Sequence, residues 1–305
     1  VIDDIQKRSI LFSCCTQNCD KKYNVKFIFL TLILVFNNKI IFCMIPNFVF
    51  TDEVKKIEQT DEHYQTWKKH GEDNKINGKN LYDIECPDIY AGEIDNGVMT
   101  DIFFNPSDRK NKQHLLPPDR NFSFKTIVII LESPHLDEYK DHSFINPALG
   151  TTGENLQNYF EKLINALAIS EHDLKNGQYR IILMESIQYQ CSLGIKPLNK
   201  YIRNLVFSEI WNLQNKNGEF PTKNDFISRL ASYMPDVILN LCTTPSNNLV
   251  QKEIEQYRNK YPSVKLYIGC HPSSWHIYDK EKNTYTDEYQ KIWKPGEKDS
   301  NPITF

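Results

Sequence analysis

The stretch Val264-Lys265-Leu266-Tyr267-Ile268-Gly269-Cys270-His271-Pro272-Ser273-Ser274-Trp275 begins as a short apolar run and ends on a histidine, a proline and two serines. The run reads as a buried strand, and the residues after it as a turn or helix entry whose N–H groups can hold an anion. Three other apolar runs end alike: Thr126–Leu131 on Glu132-Ser133-Pro134-His135, Arg180–Met184 on Glu185-Ser186, and Asp236–Leu241 on Cys242-Thr243-Thr244-Pro245-Ser246. Between them lie Glu154–Ala168, Leu198–Asn212, Lys223–Tyr233 and Ser246–Tyr261, whose apolar residues recur at helical spacing. Strands alternating with helices predict an α/β domain over residues 121–305, a three-layer αβα arrangement around a central, mostly parallel four-stranded sheet.

Upstream, residues 44–120 predict a helix over Val54–His70 and a hairpin over Ile89–Phe104, because Asp95-Asn96-Gly97 is a type I′ turn signal between two apolar runs. The polar, proline-containing segment 105–120 reads as a loop. Residues 1–43 are expected to be an upstream extension that adds nothing to this fold, since the first methionine is Met44. Asn37-Asn38-Lys39 splits Lys26–Phe42 into two apolar runs, each shorter than the ~20 apolar residues a spanning helix needs. A membrane anchor or signal-like segment is the alternative for this stretch.

With 305 residues, 25% of them charged, and a net charge of −3, the chain has the composition of an ordinary soluble globular protein. It is expected to be cytoplasmic and monomeric, with no membrane partner. The mild acidity argues against a broad electrostatic hold on nucleic acid, so such a partner must be argued from a site. Eight cysteines occur without a CxxC pair or a His-x-x-x-His, which predicts reduced thiols and no metal site.

In a parallel sheet covered by helices, ligands bind outside the carboxyl ends of the strands. Topology alone therefore brings Glu132, His135, Glu185, Thr243 and His271 to one cleft. Taken singly, each can be a turn former after a strand. Jointly that reading weakens, because two glutamates and a histidine are not turn residues.

The order of these motifs resembles the uracil-DNA glycosylase superfamily, most closely the branch that includes the iron–sulfur glycosylases. Leu131-Glu132-Ser133-Pro134-His135 is similar to that family's Gly-Glu-Ala-Pro-Gly after the first strand. Pro147-Ala148-Leu149-Gly150-Thr151-Thr152-Gly153-Glu154-Asn155-Leu156 is similar to its Pro-Phe-Val-Gly-x-x-Gly-x-x-Leu. Glu185 falls where the family has an Asn at a strand end, Val237–Pro245 resembles the strand leading into its Gly-x-x-Ala turn, and His271-Pro272-Ser273 matches its closing His-Pro-Ser. The resemblance covers Thr126–Tyr278. It departs at the cluster cysteines, whose arrangement this chain lacks, so no iron–sulfur cluster and no other cofactor is expected.

What the resemblance implies is a DNA glycosylase that hydrolyses the N-glycosidic bond of a base flipped out of the stack. Glu132 would orient or deprotonate the attacking water, and His271 would donate to the base carbonyl where negative charge develops. Substrate contacts are expected from Ser133, Pro134, His135, Asn155, Gln188 and Glu185. Gly150 and Gly153 would bring backbone N–H groups to a phosphate, Ser273 and Ser274 would bind flanking phosphates, and Trp275 is either a wedge in the duplex or a core residue. The family's stacking ring falls on Ala148, so the pocket is enlarged or Phe144 or Tyr139 supplies a ring. An ionised Glu185 only accepts hydrogen bonds, which predicts a modified, bulkier or amine-bearing base, such as a modified cytosine, in place of uracil. The alternative from another class is a catalytically silent module of the same fold that binds a nucleic acid or nucleotide.

Overall fold

A computed structural model describes residues 12–15, 29–36, 39–45, 68–69, 71–73, 75–100, 104, 124–139, 146–170, 177–191, 200–214, 218, 221–243, 246–275, 277–279, 284–286, 291–293 and 303–304. The chain divides into two compact units, Val1–Asp52 and Glu53–Phe305. In the first, β1 (Phe12–Cys15), β2 (Phe29–Phe36) and β3 (Lys39–Ile45) form an antiparallel sheet in that order, with Phe36 opposite Lys39. The expected boundary after Cys43 falls inside β3, where Met44 pairs with Thr31, because the apolar run continues as strand to Ile45. Among the described residues no helix is long and apolar enough to cross a membrane.

The second unit is α/β. Its hairpin is the predicted one: β4 (Ile89–Asp95) and β5 (Val98–Thr100) turn through Asn96 and Gly97 at φ 50° and 80°, the two left-handed residues a type I′ turn requires. Then follow β6 (Lys125–Leu131), helix α1 (Thr151–Ser170), β7 (Gln178–Glu185), α2 (Lys200–Asn212), α3 (Pro221–Tyr233), β8 (Val237–Asn240), α4 (Ser246–Lys260) and β9 (Lys265–Gly269). The helix predicted over 54–70 and the loop over 105–120 lie, but for residues 68 and 69, outside the described residues.

Strands β9, β8, β6 and β7 lie side by side in that order, all parallel. The sheet as a whole is nevertheless mixed and wider than the four-stranded, mostly parallel one expected. Strands β4 and β5 extend it antiparallel beyond β7, and β12 (Lys291–Trp293) and β13 (Ile303–Thr304) extend it antiparallel beyond β9. Between them in sequence, β10 (Ile277–Asp279) and β11 (Thr284–Thr286) pair separately. Three-residue strands set among charged residues carry no readable period-2 signal, which is why the C-terminal additions escaped the sequence.

Ile127, Ile129 and Leu131 of β6, Ile181 and Leu183 of β7, and Val237 and Leu239 of β8 share one apolar cluster with Leu156, Phe160, Leu163, Ile164 and Leu167 of α1. The helix residues recur at three- and four-residue spacing and so form a single stripe. The intervening Val128, Ile130, Ile182, Met184 and Ile238 are equally buried, and strand alternation points them at the opposite face. On the helical side, α2, α3 and α4 pack on one another, and α3 also touches β6. A central strand with no polar alternation is the pattern that coverage on both faces demands.

Candidate active site

Leu131, the last residue of β6, pairs with Glu185, the last of β7, while Asn240 of β8 pairs with Ile130 on one side and Ile268 on the other. The carboxyl edge thus presents, strand by strand, His271 after β9, Cys242 and Thr243 after β8, Glu132 after β6 and Glu185 on β7. Neighbouring strands lie about 4.8 Å apart, so the main chain at Glu132 is about 5 Å from the strand bearing Glu185 and about 10 Å from the one leading to His271. Backbone bonds lock the edge: Ser186 N–H donates to Leu131 O at 3.0 Å, Ile187 N–H to Glu132 O at 3.2 Å, and Leu241 N–H to Ile130 O at 2.9 Å. The Ser186 hydroxyl also donates to Glu132 O, and the Cys242 thiol to Leu131 O at 3.2 Å.

The edge is rich in buried acid. Glu132 and Glu185 are each 2% exposed, Glu138 4% and Asp88 5%. Burial is the main force lifting the Glu185 carboxyl well above its ordinary range, with Glu138, Asp88 and Glu132 adding to it and Arg229 opposing. The shift favours the neutral acid, which donates as well as accepts. That weighs against the reading of Glu185 as an ionised, acceptor-only group, on which the argument against uracil rested. Burial, then Glu132 and Glu185, likewise raise the Cys242 thiol, which stays protonated and unreactive.

Because the folded-state pKa of Glu185 lies above 4.5, its favourable contribution to stability is complete below pH 4.5 and is lost as pH rises through the raised value. Glu185→Gln, which cannot ionise, should therefore gain stability relative to the wild type as pH increases above 4.5. Denaturation midpoints of the two proteins at a series of pH values measure this, and parallel curves would contradict it.

An ion-pair network anchors the same strand end from below. Arg229 on α3 meets both oxygens of Asp88 through Nη1 at 2.8 and 2.9 Å, and Asp225 through Nε at 2.8 Å. It also donates to the main-chain oxygens of Glu185 at 3.1 Å and Ser186 at 3.4 Å, while Tyr233 OH donates to Asp88 at 2.9 Å. Burial works against the guanidinium charge, but Asp88 and Asp225 outweigh it and hold Arg229 protonated beyond its ordinary range. Asp88 itself is raised by burial, with Arg229 opposing.

Glu138 organises the loop between β6 and α1. Its carboxylate accepts from His135 N–H and, at 3.0 Å, from Ala148 N–H, so one side chain ties two points of the segment. Ala148 sits at φ 58°, a left-handed conformation that costs a non-glycine residue about 1–2 kcal/mol. Its side chain is wholly buried in the apolar cluster with α1. Ala148 is therefore a core residue, and the extra pocket volume inferred from its small size is not at this position. Of the two rings considered as replacements, Tyr139 is buried and Phe144 lies outside the described residues.

Gly150 and Gly153 form a helix-entry turn, in which the N–H groups of Gly153 and Glu154 both donate to Gly150 O, at 2.9 and 3.2 Å. Of the N–H groups at this turn, those of Gly153 and Glu154 are thus engaged within the protein. Gly153 is required for packing: a Cβ there would stand 2.0 Å from Ala148 O and 2.9 Å from Phe104 O. In a helix Gly→Ala normally gains about 1 kcal/mol, but overlap with two backbone oxygens reverses the sign. Gly153→Ala should destabilise the protein by about 1–3 kcal/mol in urea unfolding, and a gain in stability would contradict this packing.

His271 caps the short 3-10 turn Pro272–Ser274. Ser273 N–H donates to its Nδ1 at 3.3 Å, and the Ser273 hydroxyl lies 2.9 Å from the same nitrogen. A backbone donor at Nδ1 makes that atom the acceptor and leaves the ring proton on Nε2. Asn155 on α1 donates to Pro272 O at 2.7 Å, fixing this turn against the helix, so it acts as a strut for the histidine loop where pocket lining was expected. The Ser274 hydroxyl bonds His271 O at 2.7 Å, while Ser273 is exposed. Trp275 is fully buried in the main cluster and donates through Nε1 to Cys270 O at 3.0 Å; of its two readings, core holds and wedge does not.

Ser133 and Pro134 are buried, His135 and Thr243 half-buried. Several buried polar atoms here have no hydrogen-bond partner among the described residues: Ser133 Oγ, Tyr139 OH, both amide atoms of Asn146, Glu185 Oε2 and Thr243 Oγ1. A buried polar group left unbonded costs about 1–3 kcal/mol, so this concentration at the sheet edge and its adjoining loop sets the region apart from the apolar core. Glu138, Tyr139, Asn146, Asp88 and Arg229 were not singled out as site residues from the sequence for a polar role. Only Glu138 had a local cue, its three-residue spacing from His135. Among the described residues, no group of three or more His, Cys, Asp or Glu side chains is arranged to hold a metal ion. Comparison with protein-family models, with curated proteins and with solved structures gave no match.

Proposed function

We propose that this chain is a DNA glycosylase-like hydrolase that cleaves the N-glycosidic bond of a flipped base at the carboxyl edge of its sheet. The observation that carries the reading is a buried glutamic side chain, Glu132, two strands from a histidine whose Nδ1 accepts from Ser273 N–H, the arrangement that puts the proton of a neutral ring on Nε2. A glycosylase requires this division of labour. Water attacks C1′ as the bond to the base nitrogen lengthens, and the sugar takes on positive charge while the base takes on negative charge. Glu132 orients the water and offsets the cationic sugar; His271 Nε2–H donates to the base carbonyl. The strand ends that carry the two groups lie about two strand spacings apart along the sheet edge.

The finer architecture, a three-layer αβα domain like that of the uracil-DNA glycosylases over residues 121–305, belongs to the same proposal. It is supported by the β9-β8-β6-β7 parallel order and by α1 sharing one face of those strands while α2, α3 and α4 pack together. Incubating the protein with oligonucleotides carrying uracil, hypoxanthine or modified cytosines, single- and double-stranded, followed by alkali, tests the reading. Strand breaks at the target position are expected for at least one base. Binding of the same oligonucleotides with no abasic product would instead establish the silent binding module.

A further inference from the structure

We propose that Glu185 is a second catalytic group of this site, the acid that gives a proton to the departing base while Glu132 takes one from the attacking water. The inference rests on the N-glycosyl hydrolase reading and adds a group to it. Glu185 ends β7 beside Leu131, the end of β6, and Glu132 follows Leu131 directly, close enough for its charge to act on Glu185. It is 2% exposed, and its Oε2 has no hydrogen-bond partner among the described residues. An acid shielded from water, with an oxygen uncommitted to the protein, is equipped to act on a ligand.

The surroundings of Glu185 come from every element packed on it. Glu132 follows β6, Glu138 and Tyr139 lie in the short helical turn Leu136–Tyr139, Asp88 precedes β4, Cys242 follows β8, and Arg229 reaches in from α3. Arg229 is the cation of this set, and its hydrogen bonds go to Asp88, Asp225 and the main-chain oxygens of Glu185 and Ser186, none to the Glu185 carboxyl. Burial, then the neighbouring acids, favours the protonated form of Glu185. A neutral acid next to a second carboxyl is a pairing that can supply a proton donor and a proton acceptor at one site.

The step balances. The bond from C1′ to the base nitrogen breaks with its electron pair leaving on the base, and the Glu185 O–H proton goes to that base. The water oxygen bonds to C1′, and its proton goes to Glu132. The products are the neutral base and an abasic sugar bearing a 1′-hydroxyl; Glu185 is left ionised and Glu132 protonated, and exchange with solvent restores both. One water is consumed and nothing is oxidised or reduced. His271 contributes a hydrogen bond in this scheme and keeps its proton.

Leaving-group dependence tests the proposal. Single-turnover excision is measured with wild type and Glu185→Gln on oligonucleotides bearing the best-excised base and its electron-poor 5-fluoro or 5-formyl counterpart. Gln keeps the shape and one donor but has no proton to transfer. We expect the variant to slow excision of the parent base by about a hundredfold and that of the electron-poor base by less than about tenfold, since a good leaving group needs no acid. Equal slowing on both, or none on either, overturns the proposal. If the variant does not fold, the wild-type pH profile decides: excision of the parent base should fall about tenfold per pH unit on the alkaline limb while the electron-poor base stays level. Coincident profiles overturn the acid role and leave the glycosylase reading standing. No excision of any base by the wild type overturns both.

Discussion

Arg229→Ala is expected to cost the fold about 3–5 kcal/mol, the usual loss when one partner of a buried ion pair is removed. Asp88 is 5% exposed and has both carboxylate oxygens on the Arg229 guanidinium. Without that cation it must remain ionised in a dry setting or take up a proton, with only Tyr233 OH as a remaining donor among the described contacts. The main-chain oxygens of Glu185 and Ser186 would lose donors at the same time. Arg229→Lys keeps the charge but cannot reach Asp88, Asp225 and two carbonyls at once, so an intermediate loss is expected. Urea denaturation measures both, and a loss below about 1 kcal/mol for alanine would show that the network is not holding the strand end.

The second large effect concerns turnover. In the proposed hydrolase, Glu132→Gln removes the base and the negative charge facing the sugar, while His271→Ala removes the Nε2–H donor. Each should lower single-turnover excision by about a hundredfold or more, or about 2.7 kcal/mol of transition-state stabilisation. DNA binding should change little, because neither group is assigned a ground-state contact of comparable size. The His271→Ala variant should lose no more than the side-chain cap on Ser273 N–H, about 0.5–2 kcal/mol. The ring is half-exposed, and the turn that follows retains its Ser274-to-His271 main-chain bond at 2.9 Å.

Much of the central architecture was legible because it is local. Continuous apolar runs such as Thr126–Leu131 give strands covered on both faces, the Asp95-Asn96-Gly97 turn gives its hairpin, and the strand ends give a polar edge by topology alone. What the sequence hid depends on contacts between distant residues. Asp88 and Arg229 are 141 positions apart, and neither stands in a pattern that calls for the other. The upward shift of the Glu185 carboxyl depends first on burial and then on Glu138, Asp88 and Glu132, all far from it in sequence. Counting along a motif placed Ala148 in a pocket, but a left-handed backbone turns it into the core, where its carbonyl also explains why position 153 is glycine. Trp275 reads as core or wedge until its indole N–H is seen bonded to Cys270 O.

The central claim is that Glu132 directs water onto C1′ of a nucleotide, and single-turnover reaction in heavy-oxygen water tests it most directly. Mass spectrometry of the DNA product should find one heavy oxygen at C1′ of an abasic sugar and the free base in equal amount with the wild type. Glu132→Gln, bound to the same DNA, should form that product about a hundredfold more slowly. Release of no base, or formation of the labelled abasic sugar at the same rate by the Gln variant, would contradict the account.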